Sequence, residues 1–452
     1  MPEPACDAMV LFGATGDLAT RMIFPALASL VDAHRFDLPL IGVARAGSPF
    51  DTARTQALAE RVDSAAIARG ALERLARQFR YVDGDLQDPQ LYRRLKAALG
   101  ASHRPLFYLA IPPALFAVVV SALAAAGLNA GARIAVEKPF GHDGASARVL
   151  EDTLAGVFPP QDIFRIDHFL AKTPVRNLPF LRDANAWLAA LWSRRHVARV
   201  EVTMAESFGV AMRGAFYDRV GALRDVVQNH LLQVVALLAM EHPRGDDVEA
   251  WHDARIAALE AIDPLAPKDV VRGQYAGYRD HPGVAADSRT ETYIALRFRL
   301  RAPRWRGVPF VVRTGKRLPL TTMEVFVRLR ADAPHSDPHV RLRLGPGAVN
   351  LGLSARSLRA GAPGQDDASL ELTADLGRDE DRDAYVHLIP AVLRRDRSVS
   401  ERPDGVASAW RIVERVLVPQ NAPDVYAPGT WGPAAAARLL SEGDAWHDPA
   451  PA

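Results

Sequence analysis

The first third of the chain consists of short apolar runs, each followed by a stretch whose apolar residues recur at helical spacing. Residues 8–15 (AMVLFGAT), 38–43 (LPLIGV), 79–82 (FRYV), 106–111 (LFYLAI) and 133–136 (RIAV) read as strands. Such runs belong to parallel sheets covered by helices on both faces. Helices are predicted at 17–33, 54–78 and 114–126. A strand, a glycine turn and a helix open the chain, and regular alternation follows. This order predicts a Rossmann-like, doubly wound α/β domain that binds a dinucleotide, over residues 1–165.

Beyond that point the period changes to two. Residues 198–208 (ARVEVTMAESF), 291–300 (ETYIALRFRL), 308–313 (VPFVVR), 323–330 (MEVFVRLR) and 339–344 (HVRLRL) alternate apolar and polar positions. Alternation marks strands with one covered face. Helices are predicted at 219–240 and 432–440, and 355–368 reads as a loop. Residues 166–452 are therefore expected to form a larger α+β domain with a mostly antiparallel sheet covered by helices.

One run tests this reading. Residues 106–128 contain no charge and are long enough to span a bilayer. Pro112 and Pro113 divide them into a short strand and an Ala-rich helix, so burial inside the first domain is expected and no membrane association. Lys and Arg number 55 against 53 Asp and Glu, which argues against nucleic-acid binding through bulk charge. The single cysteine, Cys6, excludes an intramolecular disulfide and a Cys-based zinc site, and no metal site is expected. MPEPACDAMV has no signal-peptide pattern, so a cytoplasmic protein is expected.

The basic residues are uneven. Only five of the 55 are lysines: Lys96, Lys138, Lys172, Lys268 and Lys316. An ammonium is a compact point charge that enters crowded polar pockets where a planar guanidinium does not fit, so each lysine is a candidate site residue.

Several motifs could carry chemistry. Gly13-Ala14-Thr15-Gly16-Asp17-Leu18 follows a strand and opens a helix, where glycines admit a pyrophosphate to the helix N-terminus. Arg45 ends the second strand, where an acid would select NAD and an arginine suits the 2′-phosphate of NADP. Glu137-Lys138-Pro139-Phe140-Gly141 lies at the end of the fifth strand, the ligand side of such a sheet. Arg165-Ile166-Asp167-His168-Phe169-Leu170-Ala171-Lys172 sets an acid beside a histidine. On the helix at 219–240, Asp225, Gln228, Asn229 and His230 add more polar groups than an amphipathic helix needs, with His230 five residues after Asp225. Residues 308–317 end in a glycine turn that presents Lys316.

Together with IGVAR, FYLAIPP, YDRVGALRDVVQNH, VRGQYAGY, TETYIALR, RWRGVPFVVRTGKRL, AWRIV and GTWGP, these motifs make the chain resemble the glucose-6-phosphate dehydrogenase family over nearly its whole length. The resemblance implies oxidation of the C1 hydroxyl of glucose 6-phosphate to 6-phosphogluconolactone, with hydride transfer to NADP and NAD as the alternative acceptor. It implies His230 as general base and Asp167 as the carboxylate that orients it. His168 and Lys172 would hold the sugar phosphate, Glu206 and Asp225 would accept from sugar hydroxyls, and Lys316 would add a further substrate contact. Lys138 would bridge cofactor and sugar. Gly13, Thr15, Gly16, Asp17, Leu18 and Arg45 would form the cofactor site, with Asp85 and Leu86 near the adenine. A homodimer or homotetramer is implied. Four features depart from the family pattern: Met22 and Thr321 replace usual lysines, Phe169 lacks the usual tyrosine hydroxyl, and region 345–360 lacks Ile-Gln-Pro. They leave two alternatives open, a paralogue oxidising a different or unphosphorylated aldose and a catalytically weak regulatory homologue.

Overall fold

The apolar runs of the first third pair side by side as β1 (Ala8–Phe12), β2 (Leu40–Ala44), β3 (Phe79–Asp83), β4 (Pro105–Leu109), β5 (Arg133–Glu137) and β6 (Ile163–Ile166). In the computed structural model, which describes residues 6–45, 69–243, 245, 247–331, 338–345, 347–356, 367–377 and 381–450, these strands form one sheet in the order β3-β2-β1-β4-β5-β6. Every pairing in it is parallel. The order reverses between β1 and β4, and ligands of open α/β sheets bind outside the carboxyl ends at such a reversal. Helices Arg69–Gln78, Pro89–Leu99, Phe116–Ala125 and Gly144–Ala155 connect the strands. The uncharged run 106–128 supplies β4 and the helix Phe116–Ala125, and no described helix is long and apolar enough to cross a membrane. Of the helix predicted at 54–78, residues 54–68 lie outside the described residues.

Two compact units emerge, and their limits differ from the boundary drawn at 165. The first comprises Met1–Lys172 and Glu380–Val406; the second comprises Thr173–Asp379 and Ala407–Ala452. The cause is the helix Asp381–Leu393. Its Tyr385, Leu388, Ile389 and Val392 are fully buried in one core with Phe24, Leu27 and Leu30 of the helix Phe24–Asp32. The backbone is tied in as well: Cys6 N–H donates to the Leu393 carbonyl at 3.1 Å, and the Arg133 guanidinium donates to the Val392 carbonyl at 3.2 Å.

The second unit holds a nine-stranded sheet. Its strands are β7 (Val197–Ala205), β8 (Val270–Tyr275), β9 (Tyr293–Phe298), β10 (Phe310–Gly315), β11 (Thr322–Leu329), β12 (His339–Gly345), β13 (Gly347–Arg356), β14 (Asp367–Gly377) and β15 (Asp424–Tyr426). Their order is β14-β13-β12-β11-β7-β10-β9-β8-β15. The sheet is mixed rather than simply antiparallel, since β7 pairs with β10, and β8 with β15, in parallel. The segment predicted as a loop at 355–368 is strand at both ends, and its residues 357–366 lie outside the described residues.

The helix predicted at 219–240 is three pieces: Gly214–Ala222, a π-helix over Leu223–Leu231, and Leu232–Ala239. Gly221, at φ +67°, makes the break, and a Cβ there would lie 2.7 Å from Glu291 Oε1. That carboxylate caps the new helix start, accepting from Leu223 N–H at 3.0 Å.

The shared core yields a prediction. Leu388→Ala deletes buried apolar volume where the returning helix meets the first unit and should cost about 2–5 kcal/mol. Calorimetry of the intact chain should show the loss; an unchanged transition would separate Leu388 from that core.

Candidate active site

The carboxyl ends of β1, β2, β3 and β4 open onto one cavity of about 710 Å³. It is lined by Gly13, Thr15, Gly16, Arg45, Asp85 and Leu86, together with Ala110, Ile111, Pro112 and Leu115 past β4. Thus the turn after β1, the residue after β2 and the pair after β3 meet at the reversal point. Gly13 is irreplaceable by geometry: its φ is +79°, and a Cβ would lie 2.2 Å from the Ala110 carbonyl oxygen. Its N–H donates to the Val43 carbonyl at 2.8 Å, which ties the turn to β2. A bare backbone beside a helix start suits a pyrophosphate. Asp17 and Leu18 do not line this cavity. Asp17 is exposed, and Leu18 packs against the core of the first unit.

At the end of β5 the Lys138 ammonium pairs with the Asp167 carboxylate and lies 3.2 Å from Glu401 Oε1. Asp167 is 1% exposed and Glu401 3%. Asp167 also caps the short helix His168–Ala171, accepting from Phe169 N–H at 3.0 Å. Nearby Glu137 accepts hydrogen bonds from the hydroxyls of Tyr108 and Tyr385. Burial, with the Asp167 charge adding to it, raises the Glu137 carboxyl from 4.5 to about 7 against the lowering effect of those hydrogen bonds and of Lys138. The Tyr385 ring stacks on His168, with centroids 5.9 Å apart and planes at 19°. Lys172 places its ammonium 5.3 Å from the centre of the Phe169 ring.

In the second unit, the parallel pair β7 and β10 aligns Ala205 with Gly315. The next residue on each strand, Glu206 and Lys316, therefore emerges at the same end, and the two form an ion pair. The Lys316 ammonium also lies 4.9 Å from the centre of the Tyr217 ring. Asp225 and His230 both sit on the π-helix, whose wider turn brings position 230 nearer to the face of position 225 than an α-helix would. An α repeat would turn them apart. Gln228 and Asn229 are buried, and the Asn229 amide donates to the Arg224 carbonyl at 3.2 Å.

Residues 10–177 match the family described as glucose-6-phosphate dehydrogenase, NAD binding domain, and residues 179–447 match its C-terminal domain. The chain belongs to the glucose-6-phosphate dehydrogenase family. It is 43% identical to glucose-6-phosphate 1-dehydrogenase 1 of Mycobacterium tuberculosis (strain CDC 1551 / Oshkosh) over 98% of this chain and 97% of that one. A crystal structure of the Mycobacterium avium glucose-6-phosphate 1-dehydrogenase covers 100% of both chains at 40% identity, with a TM-score of 0.91. A glucose-6-phosphate dehydrogenase solved in complex with glucose 6-phosphate covers 98% of this chain and 99% of its own at 30% identity and a TM-score of 0.85. The Rossmann-like first unit and the large helix-covered sheet are thus the family's fold, and the chain is an oxidoreductase.

Within this family, the departures at 22, 169 and 321 each have a structural use here. Met22 packs against the core of the first unit. Phe169 offers Lys172 a ring face in place of a hydroxyl. The Thr321 hydroxyl accepts from Ser207 N–H at 3.0 Å. Sequence reasoning missed Glu401 as a partner of Lys138, and Tyr385 and Tyr108 as partners of Glu137. Tyr108 stood inside FYLAIPP, but nothing local in SVSERPDG marks Glu401.

The Glu137 shift yields a prediction. The folded carboxyl holds its proton to higher pH than the unfolded one. Its contribution to stability is complete below about pH 4.5 and is lost as pH rises through about 7. Glu137→Gln stays neutral throughout. The melting temperature of the unmodified protein, relative to that of this variant, should therefore fall across that window, by the equivalent of about 1–3 kcal/mol. A difference that stays flat with pH contradicts the shift.

Proposed function

We propose that this protein oxidises the C1 hydroxyl of glucose 6-phosphate to 6-phosphogluconolactone with NADP as hydride acceptor. The observation that carries this reading is the 43% identity to a glucose-6-phosphate 1-dehydrogenase over 98% of the chain. The residues that the chemistry needs lie within that span. The alternatives of another aldose or of a weak regulatory homologue are not favoured.

The cavity past β1 to β4 fits a dinucleotide, because Gly13 leaves its backbone bare where a side chain would collide with Ala110. Arg45 at its rim supplies a cation for a 2′-phosphate and favours NADP over NAD. A dinucleotide held by Gly13, Thr15, Gly16 and Arg45 would supply a nicotinamide as the hydride acceptor. An imidazole nitrogen of His230 takes the hydroxyl proton, so that the C1–H pair leaves as hydride and the C1–O bond becomes the lactone carbonyl. Asp167 orients that imidazole and stabilises its charged form. His168 and Lys172 hold the 6-phosphate, where cationic donors meet a dianion. Glu206, Asp225 and Lys316 bind the sugar hydroxyls, and Lys138 bridges sugar and cofactor. The Glu206–Lys316 ion pair supports their joint part, since it places an acceptor and a donor side by side. Asp17 and Leu18 act through the helix they open rather than as lining groups.

Assembly as a homodimer or homotetramer through the large sheet belongs to the same reading. It is supported by Leu372, 60% exposed on the edge strand β14. A cytoplasmic setting agrees with a single cysteine whose thiol burial pushes up to about 11.

The test is absorbance at the nicotinamide band with glucose 6-phosphate and glucose, each with NADP and NAD. Turnover should be greatest with glucose 6-phosphate and NADP. His230→Asn should lower kcat by roughly 10²–10⁴-fold. Isothermal titration should show glucose 6-phosphate binding to the unmodified protein. Absence of turnover with every pair would refute the proposal.

A further inference from the structure

Lys138 is shared between two buried carboxylates, and the function just proposed uses only one of them. Asp167 comes from the segment directly after β6. Glu401 comes from the returning part of the chain, and its backbone is fixed on that same strand. Ser400 pairs antiparallel with Ile166, its hydroxyl accepts from Arg165 N–H at 3.0 Å, and Glu401 N–H donates to the Arg165 carbonyl at 2.9 Å. This anchoring delivers the Glu401 carboxylate to 3.2 Å from Lys138 Nζ, at a site where Glu401 is 3% exposed. Burying a second carboxylate is costly unless its charge is used.

The charges show a use. An ammonium offers three N–H donors. That of Lys138 hydrogen-bonds the Asp167 carboxylate and forms an ion pair with Glu401 at 3.2 Å. With Asp167 alone, the pair would be neutral and the carboxylate would be committed to the lysine. With Glu401 present, the ammonium faces two carboxylates rather than one.

We propose that Glu401 is a positioning residue: it holds the Lys138 ammonium in place and balances its charge, so that the Asp167 carboxylate keeps its charge for stabilising the protonated catalytic base. The inference rests on the roles of Asp167 and Lys138 stated under the proposed function.

The experiment is steady-state kinetics with glucose 6-phosphate and NADP, with kcat expressed per NADPH-binding site counted by fluorescence titration. The chains compared are the unmodified protein, Glu401→Gln, Glu401→Asp, Asp167→Asn and the double variant Asp167→Asn/Glu401→Gln. Glu401→Gln keeps the shape and removes the charge. Its kcat should fall roughly tenfold, the equivalent of one pK unit of charge stabilisation. Its KM for the sugar should stay within about twofold, because the interaction lost is one made in the transition state. Glu401→Asp should recover part of kcat. In the Asp167→Asn background, the Glu401→Gln change should alter kcat by less than about twofold, since the carboxylate it serves is gone. An equal loss in both backgrounds, or a loss confined to KM or to the number of NADPH-binding sites, would overturn the inference and leave Glu401 a packing residue. Failure of the functional reading is seen separately, as an unmodified protein that does not turn over the sugar phosphate.

Discussion

Two parallel neighbouring strands must end on the same side of their sheet, and this constraint places most of the chemistry in both units. In the first, six parallel strands bring the residues past β1, β2, β3 and β4 to one rim, where their backbones form a cavity. In the second, a single parallel pairing in the middle of a largely antiparallel sheet brings Glu206 and Lys316 out together. Had β7 and β10 run in opposite directions, the two side chains would emerge at opposite edges. Chain direction, set by crossover connections of a dozen or more residues, thus decides which charges can meet.

The charges brought together in this way are mostly buried and mutually compensated. Lys138 pairs with Asp167 and Glu401, and Glu137 lies close by. Desolvation of these groups is partly offset by their opposite charges and by the tyrosine hydroxyls on Glu137, whose carboxyl is raised by burial to about 7. Removing one member would leave its neighbours uncompensated, so such a cluster tolerates substitution poorly. The arginine-rich character of the chain fits this picture. Lysine is kept where a point charge must be shared in several directions, as at 138, or laid over aromatic rings, as at 172 and 316.

How much of this was legible in the sequence follows from the range of the interactions. The five predicted strands of the first unit, and the described parts of its predicted helices, are local patterns, and they appear where the periodicity put them. The glycine turn could be read because Gly13 answers a local need for positive φ. The period-two segments of the second unit were also visible, but β8 (VVRGQY) and the glycine-bearing β13 (GAVNLGLSAR) carry too weak an alternation to stand out. β7 and β10 carry the same kind of pattern as the strands they meet in antiparallel fashion, so nothing in their sequences marked their parallel pairing, which was unforeseen. The π-helix replaces an α-helix of the same composition. It could have been suspected only from the spacing of Asp225 and His230, which makes sense on the wider repeat. Glu401 and Tyr385 were beyond reach for the plainest reason, since they join β5 and β6 from more than two hundred residues downstream.

That long return has a consequence for the birth of the molecule. As the chain leaves the ribosome, residues 1–172 emerge first, yet Tyr385 and Leu388, which complete their core, follow only after 173–379 have been made. At roughly 5–20 residues per second, the nascent first unit waits on the order of ten seconds or more with that apolar face uncovered. During this interval it is a natural client for a chaperone, and its maturation is timed by the slowest stretch of translation between the two segments.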